Sequence, residues 1–145
     1  MEAYIYRTKA RFSDTDLYGV VHHSNYFRWL EEARIQLMED ILGYSVSWME
    51  EHALRFPVIH VDGKYKQSVF AGENVEISVY LRYTGAARLE FTYTVRNESG
   101  KVCFTAETEN AVLRGDRMLL KMPEEIDSRI REKIEEYGKG FIILC

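Results

Sequence analysis

The sequence has few cysteines and no concentration of positive charge. Its two cysteines, Cys103 and Cys145, lie far apart, and no pair has the C-x-x-C spacing typical of zinc or redox sites. We therefore predict that neither thiol has a chemical role. Lysine and arginine number 19 against 23 acidic residues, mixed along the chain, for a formal net charge of -4. A chain without a basic stripe is a poor match for a phosphate backbone, so nucleic acid is not an expected partner.

Long apolar segments are also missing. No hydrophobic run approaches the roughly 18 residues of a membrane span, and the N-terminal residues do not combine a basic segment with an apolar one as a secretory signal does. We therefore predict no membrane span and a cytoplasmic location. With no internal repeat or linker, residues 1–145 are predicted to form one domain, with a short C-terminal helix and tail from about residue 123. The apolar tail, 141–145, is expected to dock onto the fold or a neighbour.

A segment with helical spacing of its apolar residues comes after a short strand-like segment, Ala3–Phe12. Apolar residues then recur at intervals of three and four, which predicts an amphipathic helix of roughly 16 residues. Ser24 or Asn25 is predicted to cap its beginning, and Gly43 to end it. The apolar positions are Tyr26, Trp29, Leu30, Ala33, Leu37 and Ile41.

Alternation of apolar and polar residues dominates the segment that follows the helix. Three long half-buried strands are predicted between residues 74 and 112, joined by turns at Thr84-Gly85-Ala86 and Asn97–Gly100. Before them, two shorter strands are predicted on either side of a break at Asp62-Gly63. The pattern indicates an α+β domain whose antiparallel sheet packs on the helix, and the open sheet edges favour a homodimer joined edge to edge.

The connector between the first strand and the helix concentrates reactive side chains: Asp14, Asp16, His22 and His23. These are ligand types that zinc or iron can use. However, adjacent histidines in an extended segment point to different sides, and no second cluster of ligands follows in the chain. We therefore predict no metal at this position and no cofactor.

Acid–base chemistry fits the same connector better. A carboxylate such as Asp16 is ionised at neutral pH and can activate water or attack a carbonyl, while a nearby histidine handles a proton. The amides at the beginning of the helix can stabilise an oxyanion. No G-x-S-x-G motif offers a serine nucleophile. Asp14 is interpreted as a residue that shapes the turn.

Two further features of this region have competing interpretations. Glu31 and Arg34 have the i, i+3 spacing of a surface ion pair, which is at least as plausible for them as a part in catalysis. Tyr18 is either a residue that lines a ligand channel or an aromatic side chain packed beside the glycine turn.

The motif as a whole resembles the signature of 4-hydroxybenzoyl-CoA thioesterase-like proteins, and within them the Tol-Pal-associated acyl-CoA thioesterase branch. The matching residues are Asp14-Thr15-Asp16, Gly19-Val20-Val21, His23, Asn25-Tyr26 and Glu31-Glu32-Ala33-Arg34. The resemblance covers about residues 4–123. It implies a hot-dog fold, in which an antiparallel sheet of about five to six strands wraps a long central helix, assembled as homodimers or homotetramers.

The resemblance also implies an activity and a set of site residues. The expected reaction is hydrolysis of an acyl-CoA thioester, with Asp16 as nucleophile or general base, His23 assisting, and the backbone amide at His23 polarising the carbonyl. Substrate-binding candidates are Tyr18, Val21, Asn25, Tyr26, Lys64 and Arg88, of which the last two are expected to meet CoA phosphates. His22 has no assigned task.

Two other functions are compatible with this sequence. A hot-dog hydratase or dehydratase also uses an acidic residue with a histidine, although the order of the motif favours hydrolysis. A non-catalytic acyl-carrier or envelope-complex binding module would use the apolar tail and Ile35, which lies on the otherwise polar face of the helix.

Overall fold

A computed structural model describes residues 2–137 and 140–144. Cys145, whose thiol is predicted to have no chemical role, lies outside the described residues. The helices are α1 (Asn25–Leu37), α2 (Val46–Glu51) and α3 (Glu124–Tyr137). The strands are β1 (Tyr4–Lys9), β2 (Leu54–Arg55), β3 (Val58–Tyr65), β4 (Asn74–Tyr83), β5 (Arg88–Arg96), β6 (Val102–Ala111), β7 (Leu113–Arg114), β8 (Arg117–Met118) and β9 (Ile142–Leu144).

Six of the described strands form one sheet, in the order β1-β4-β5-β6-β3, with β9 paired to the far end of β4. All its pairs are antiparallel except β4 with β9. Successive side chains of a strand point to opposite faces, so the alternating pattern buries one face of each strand. On β5 the buried positions are the predicted ones: Leu89, Phe91, Tyr93 and Val95.

Helix α1 packs its apolar face against this sheet. Trp29, Leu30, Ala33 and Leu37 are almost completely buried, in agreement with the predicted spacing. The helix continues as a π-helical turn over Met38–Leu42 and ends at Gly43, whose φ of +76° is the left-handed conformation that glycine adopts without strain. The predicted C-terminal boundary is therefore confirmed.

The predicted side-chain cap of α1 is wrong, although Ser24 does occupy the N-cap position. The Ser24 hydroxyl lies 2.7 Å from Nδ1 of His22, and the Asn25 side chain donates a hydrogen bond to the Asp14 carbonyl at 2.7 Å. Both short polar side chains therefore bind the preceding connector instead of the first turn of the helix.

The predicted break at Asp62-Gly63 is also wrong. Strand β3 runs through both residues and ends at Tyr65, and Phe70 makes only an isolated bridge with Val20. Gly63 lies against the ring of Phe104, and a Cβ atom at this position would be only 2.5 Å from Cζ of that ring. The glycine allows a close approach between strand and ring rather than a turn.

The C-terminal elements complete the core. Ile126 and Ile130 of α3 are fully buried, and the tail buries Ile142 where β9 pairs with β4. The tail therefore docks onto its own fold, one of the two predicted placements. Cys103 is buried within β6. In the described residues, no helix is long and apolar enough to cross a membrane.

Candidate functional site

The connector before α1 folds back on itself as a tight hairpin. The Asp16 amide donates to the Val20 carbonyl at 2.8 Å, and the His22 amide donates to the Asp14 carbonyl at 2.8 Å. Gly19 closes the turn with a φ of +78°, a conformation that side chains with a Cβ rarely adopt. The hairpin brings the acidic residues alongside the segment that enters the helix.

Asp14 is a structural residue of this hairpin. Its side chain is buried, Oδ1 accepts a hydrogen bond from Arg28 at 2.7 Å, and Oδ2 accepts one from the Arg11 amide at 2.9 Å. Its carbonyl also accepts from Asn25. With both carboxylate oxygens engaged, Asp14 has no free oxygen to act on a substrate, which agrees with its predicted role in the turn.

Asp16 lies in a different environment two residues further on. It is only partly buried, and its Oδ1 accepts a hydrogen bond from the Tyr18 amide at 2.7 Å, which fixes the direction of the side chain. The other oxygen, Oδ2, has no donor among the residues that the structure describes. An oriented carboxylate with one free oxygen can accept a proton from water or attack a carbonyl carbon.

His23 lies at a small cavity at the entrance of α1. The cavity has a volume of about 250 Å³ and is lined by Val21, His23, Tyr26, Tyr65, Lys66, Gln67 and Ser68. The Tyr65 hydroxyl donates to the His23 carbonyl at 2.8 Å and so ties β3 to the connector. Asp16 is not among the lining residues, and the described structure has no hydrogen bond between Asp16 and His23.

One backbone amide at this entrance is free. The N–H groups of His22, Ser24 and Asn25 all have acceptors within the molecule. The N–H of His23, within the described part of the chain, has none. A free amide beside the N-terminus of a helix is suited to bind the oxygen of a polarised carbonyl.

Tyr26 provides a neutral wall to the cavity. Its side chain is buried, and burial raises the pKa of its hydroxyl to about 12. The hydroxyl therefore stays protonated throughout the physiological range, and this wall adds no charge to the cavity.

The other predicted binding residues lie apart from this cavity. Tyr18 is 86% exposed at the tip of the hairpin. Lys64 lies beside Thr92 and Thr94 on the outer face of the sheet, and Arg88 forms an ion pair with Glu109 on that face. The Asn25 side chain is committed to Asp14.

Sequence reasoning missed two residues that build the site. Arg28 on α1 is one of them: it neutralises Asp14, which lies fourteen residues earlier. Tyr65 was placed in a separate strand beyond the expected break. Neither contact has a local spacing that signals it, since each joins segments that only the folded chain brings together.

His22, which had no assigned task, stabilises the approach to the helix. Its Nδ1 accepts a hydrogen bond from the Ser24 amide at 3.2 Å, and its ring lies against that of His23 with the centroids 4.2 Å apart. Within the described residues, no group of three or more His, Cys, Asp or Glu side chains is arranged to hold a metal ion.

An antiparallel sheet wrapped around a long helix, with a reactive connector at the helix entrance, defines a hot-dog fold. Residues 10–130 match the model of the Thioesterase-like superfamily, and the chain belongs to this superfamily.

Solved structures agree with this placement. TT1821 from Thermus thermophilus has a TM-score of 0.80 at 31% identity, with 88% of this chain and 96% of that chain covered. A DHNA-CoA thioesterase from Staphylococcus aureus has a TM-score of 0.80 at 29% identity, covering 99% and 100%. A second Thermus thermophilus structure, a thioesterase complexed with coenzyme A and Zn, has a TM-score of 0.76 at 27% identity, covering 92% and 96%.

Proposed function

We propose that the protein hydrolyses the thioester of an acyl-CoA, giving the free acid and CoA. The observation that carries this proposal is the pairing of two free groups on one short hairpin: a carboxylate oxygen of Asp16 and the N–H of His23 at the helix entrance. Membership of the Thioesterase-like superfamily supports it, as do the similarity to a DHNA-CoA thioesterase and to a thioesterase complexed with coenzyme A.

The two free groups have complementary roles in this reaction. The His23 amide donates to the carbonyl oxygen and stabilises the negative charge that grows there when the carbon is attacked. With Asp16 as general base, water attacks the carbonyl carbon while its proton passes to the carboxylate; the C–S bond then breaks and the CoA sulfur takes up the proton. With Asp16 as nucleophile, the carboxylate forms a mixed anhydride as the C–S bond breaks and CoA leaves as the thiolate; water then hydrolyses the anhydride to the free acid and the Asp16 carboxylate, and the proton released gives the CoA thiol.

The side chain of His23 is proposed to assist at the mouth of the small cavity. It is exposed, and its ring is supported by the rings of His22 and Tyr65. Val21 and Tyr26 line the same cavity and are proposed to contact the thioester region of the substrate. Among the residues proposed to meet CoA phosphates, Lys64 is the stronger candidate, because Arg88 is already paired with Glu109.

The proposal is tested by the release of free thiol from a panel of acyl-CoAs. The panel contains short and long aliphatic acyl groups and aromatic ones, including 1,4-dihydroxy-2-naphthoyl-CoA. We expect the purified protein to release thiol catalytically from at least one of them. A protein that adds water to an enoyl-CoA and releases no thiol would contradict the proposal and favour the hydratase. Thermal stabilisation by an acyl-CoA without any turnover would favour the binding module.

Two narrower predictions accompany this function. Placement in the Tol-Pal-associated branch is supported by the motif from Asp14 to Arg34 and stays a prediction. Assembly into a homodimer or homotetramer is supported by the apolar side chains that β3 leaves exposed at the sheet edge, which include Val58, Ile59, Val61 and Tyr65.

A further inference from the structure

Arg34 is a buried cation with an incomplete set of partners. It is only 9% exposed, and its Nη1 donates to the Tyr93 hydroxyl at 3.2 Å, which lies 2.7 Å from Oγ1 of Thr108. No other guanidinium nitrogen of Arg34 has an acceptor among the described residues. The ion pair with Glu31 that the sequence allowed is not formed, and no carboxylate of the described chain lies within ion-pair distance.

A buried guanidinium without a counterion is unfavourable, because the single neutral hydroxyl of Tyr93 replaces only part of the hydration that the cation loses on folding. Proteins ordinarily bury arginine beside a carboxylate or phosphate, whose two oxygens match the planar donors. The charge of Arg34 therefore points to an anion that the described residues do not supply.

A cavity beside Arg34 offers space for such an anion. Arg34 lines a cavity of about 580 Å³ between α1, α2 and β2, which is within the roughly 300–1,000 Å³ typical of sites for small molecules. Most of its other walls are apolar: Ile35, Met38, Val46, Met49, Ala53, Leu54 and Phe56. Three charged residues complete the lining, Glu31, Glu50 and Arg55, and all three are exposed to solvent. Arg34 is the only buried charged residue of this lining, and a largely apolar cavity with one buried cation is suited to a hydrocarbon group that carries a negative charge.

The position of the cavity along α1 relates it to the proposed reaction. Phe27, Glu31 and Arg34 follow one another at helical spacing and share a flank of α1. Arg34 lies nine residues beyond Asn25, roughly 14 Å along the helix axis. The two cavities share no lining residue, so a ligand whose carbonyl lies at the helix entrance has to follow this flank of α1 to bring its far end to Arg34.

We propose that the cavity beside Arg34 binds the distal end of the substrate's acyl group, and that Arg34 pairs with a carboxylate carried there. This proposal rests on the proposed function, and it names the substrate class: acyl-CoAs with an anionic group at the end remote from the thioester.

The test uses two CoA ligands that cannot be hydrolysed. In each, a methylene group separates the sulfur from the carbonyl carbon; one carries a decanoyl-length chain, and the other the same chain ending in a carboxylate. Calorimetry on the unmodified protein is expected to show that the carboxylate ligand binds at least about tenfold more tightly, as a charge-assisted hydrogen bond predicts. Equal affinity, or tighter binding of the uncharged ligand, would overturn the proposal.

Three variants test whether Arg34 causes the preference for the carboxylate ligand. Arg34→Met should abolish the preference and leave the affinity for the uncharged ligand within about threefold. Arg55→Met is the matched control: it removes an arginine from the wall of the same cavity, but one that already pairs with Asp116, so the preference should persist. Met38→Glu places a carboxylate one helical turn from Arg34 inside the cavity and should also abolish the preference.

If Arg34→Met does not fold, Met38→Glu still tests whether the preference depends on the charge of Arg34. A preference that survives in Met38→Glu, or that is lost equally in Arg55→Met, would contradict the role of Arg34. Hydrolysis is measured separately on the two corresponding thioesters. Hydrolysis of both without preferential binding would overturn this inference alone, whereas preferential binding without thiol release would overturn the proposed function alone.

Discussion

At the scale of single residues, the two carboxylates of the Asp14-Thr15-Asp16 segment have different environments. The sequence predicts that Asp14 shapes the turn of the connector and that Asp16 does the chemistry beside the helix entrance. In the structure the two environments differ: Asp14 is buried with both oxygens bonded, while Asp16 keeps one oxygen without a donor among the described residues. The partner of Asp14, Arg28, was not predictable, because a helical residue on a polar face is normally assumed to meet solvent.

Asp14→Asn is expected to destabilise the fold. The substitution removes a buried negative charge that binds Arg28 and the Arg11 amide, so the free energy of unfolding should fall by about 1–3 kcal/mol. Denaturant unfolding measures this change, and Asp16→Asn is the matched control, with a change expected within about 0.5 kcal/mol. Equal losses in the two variants would contradict the division of roles.

Asp127 gives a pH dependence with a definite sign. The hydrogen bond from the Tyr83 hydroxyl, with a smaller effect of Arg131, lowers the pKa of this carboxyl below its usual value. Because the pKa is lower in the folded state, the carboxylate stabilises the fold above about pH 4, and this contribution is lost as the pH falls through the folded-state pKa.

Unfolding free energies of the native protein and of Asp127→Asn should therefore differ at neutral pH and converge in acid. Urea unfolding at a series of pH values between neutrality and strong acid measures the difference. Asp116→Asn serves as a control, because that carboxylate is fully exposed. A difference between the native protein and Asp127→Asn that grows as the pH falls would contradict the assigned sign.

At the scale of helices and strands, the spacing of apolar residues was sufficient to predict an element wherever one face of that element is buried. The alternation over β4, β5 and β6 and the helical spacing of α1 predicted the correct elements, because burial selects the side chains on one face. The errors concern residues whose contacts are not periodic. Ser24 is predicted to cap the helix with its side chain, but its hydroxyl interacts with His22 instead of a helix amide. Gly63 is predicted to break the strand, but it makes room for the ring of Phe104.

Gly63→Ala is expected to destabilise β3 through this contact. The added methyl group would lie 2.5 Å from Cζ and 2.8 Å from Cε1 of Phe104, so the buried ring would have to move at a cost of about 1–3 kcal/mol. Thermal or denaturant unfolding measures the loss. Lys64→Ala, the next residue of the strand, is the control and should change little.

A second substitution separates the ring contact from a general effect on the strand. In the background Phe104→Leu, where the ring is gone, Gly63→Ala should cost less than in the native protein. The same cost in both backgrounds would show that Phe104 is not the cause.

At the scale of the whole molecule, one continuous core joins the N-terminal helix, the sheet and the C-terminal elements. Ile126, Ile130, Phe141 and Ile142 belong to the same cluster of buried residues as Trp29. This continuity supports the prediction that residues 1–145 form a single hot-dog domain. The long-range arrangement was accessible from the sequence through the resemblance of the motif, whereas the cavity beside Arg34 was not, because it depends on how α1, α2 and β2 pack together.

The exposed edge of the sheet predicts self-association. Strand β3 lies at the end of the sheet with Val61 and its neighbours exposed, and an exposed apolar edge strand favours pairing with another chain. Sedimentation or light scattering should give a mass of at least two chains, and Val61→Lys should shift it towards one. Leu120→Lys, at an exposed apolar residue away from β3, should not. A native protein of one chain mass would contradict the prediction.

The central claim, that Asp16 is the carboxylate that does the chemistry, is tested most directly by the turnover number of Asp16→Asn. With an acyl-CoA that the native protein hydrolyses, thiol release should fall by about 10²–10⁴-fold while the melting temperature stays the same, because the amide preserves the shape and removes the base. Asp62→Asn, an exposed carboxylate on β3, should keep full activity. Undiminished thiol release by a folded Asp16→Asn variant would contradict the account.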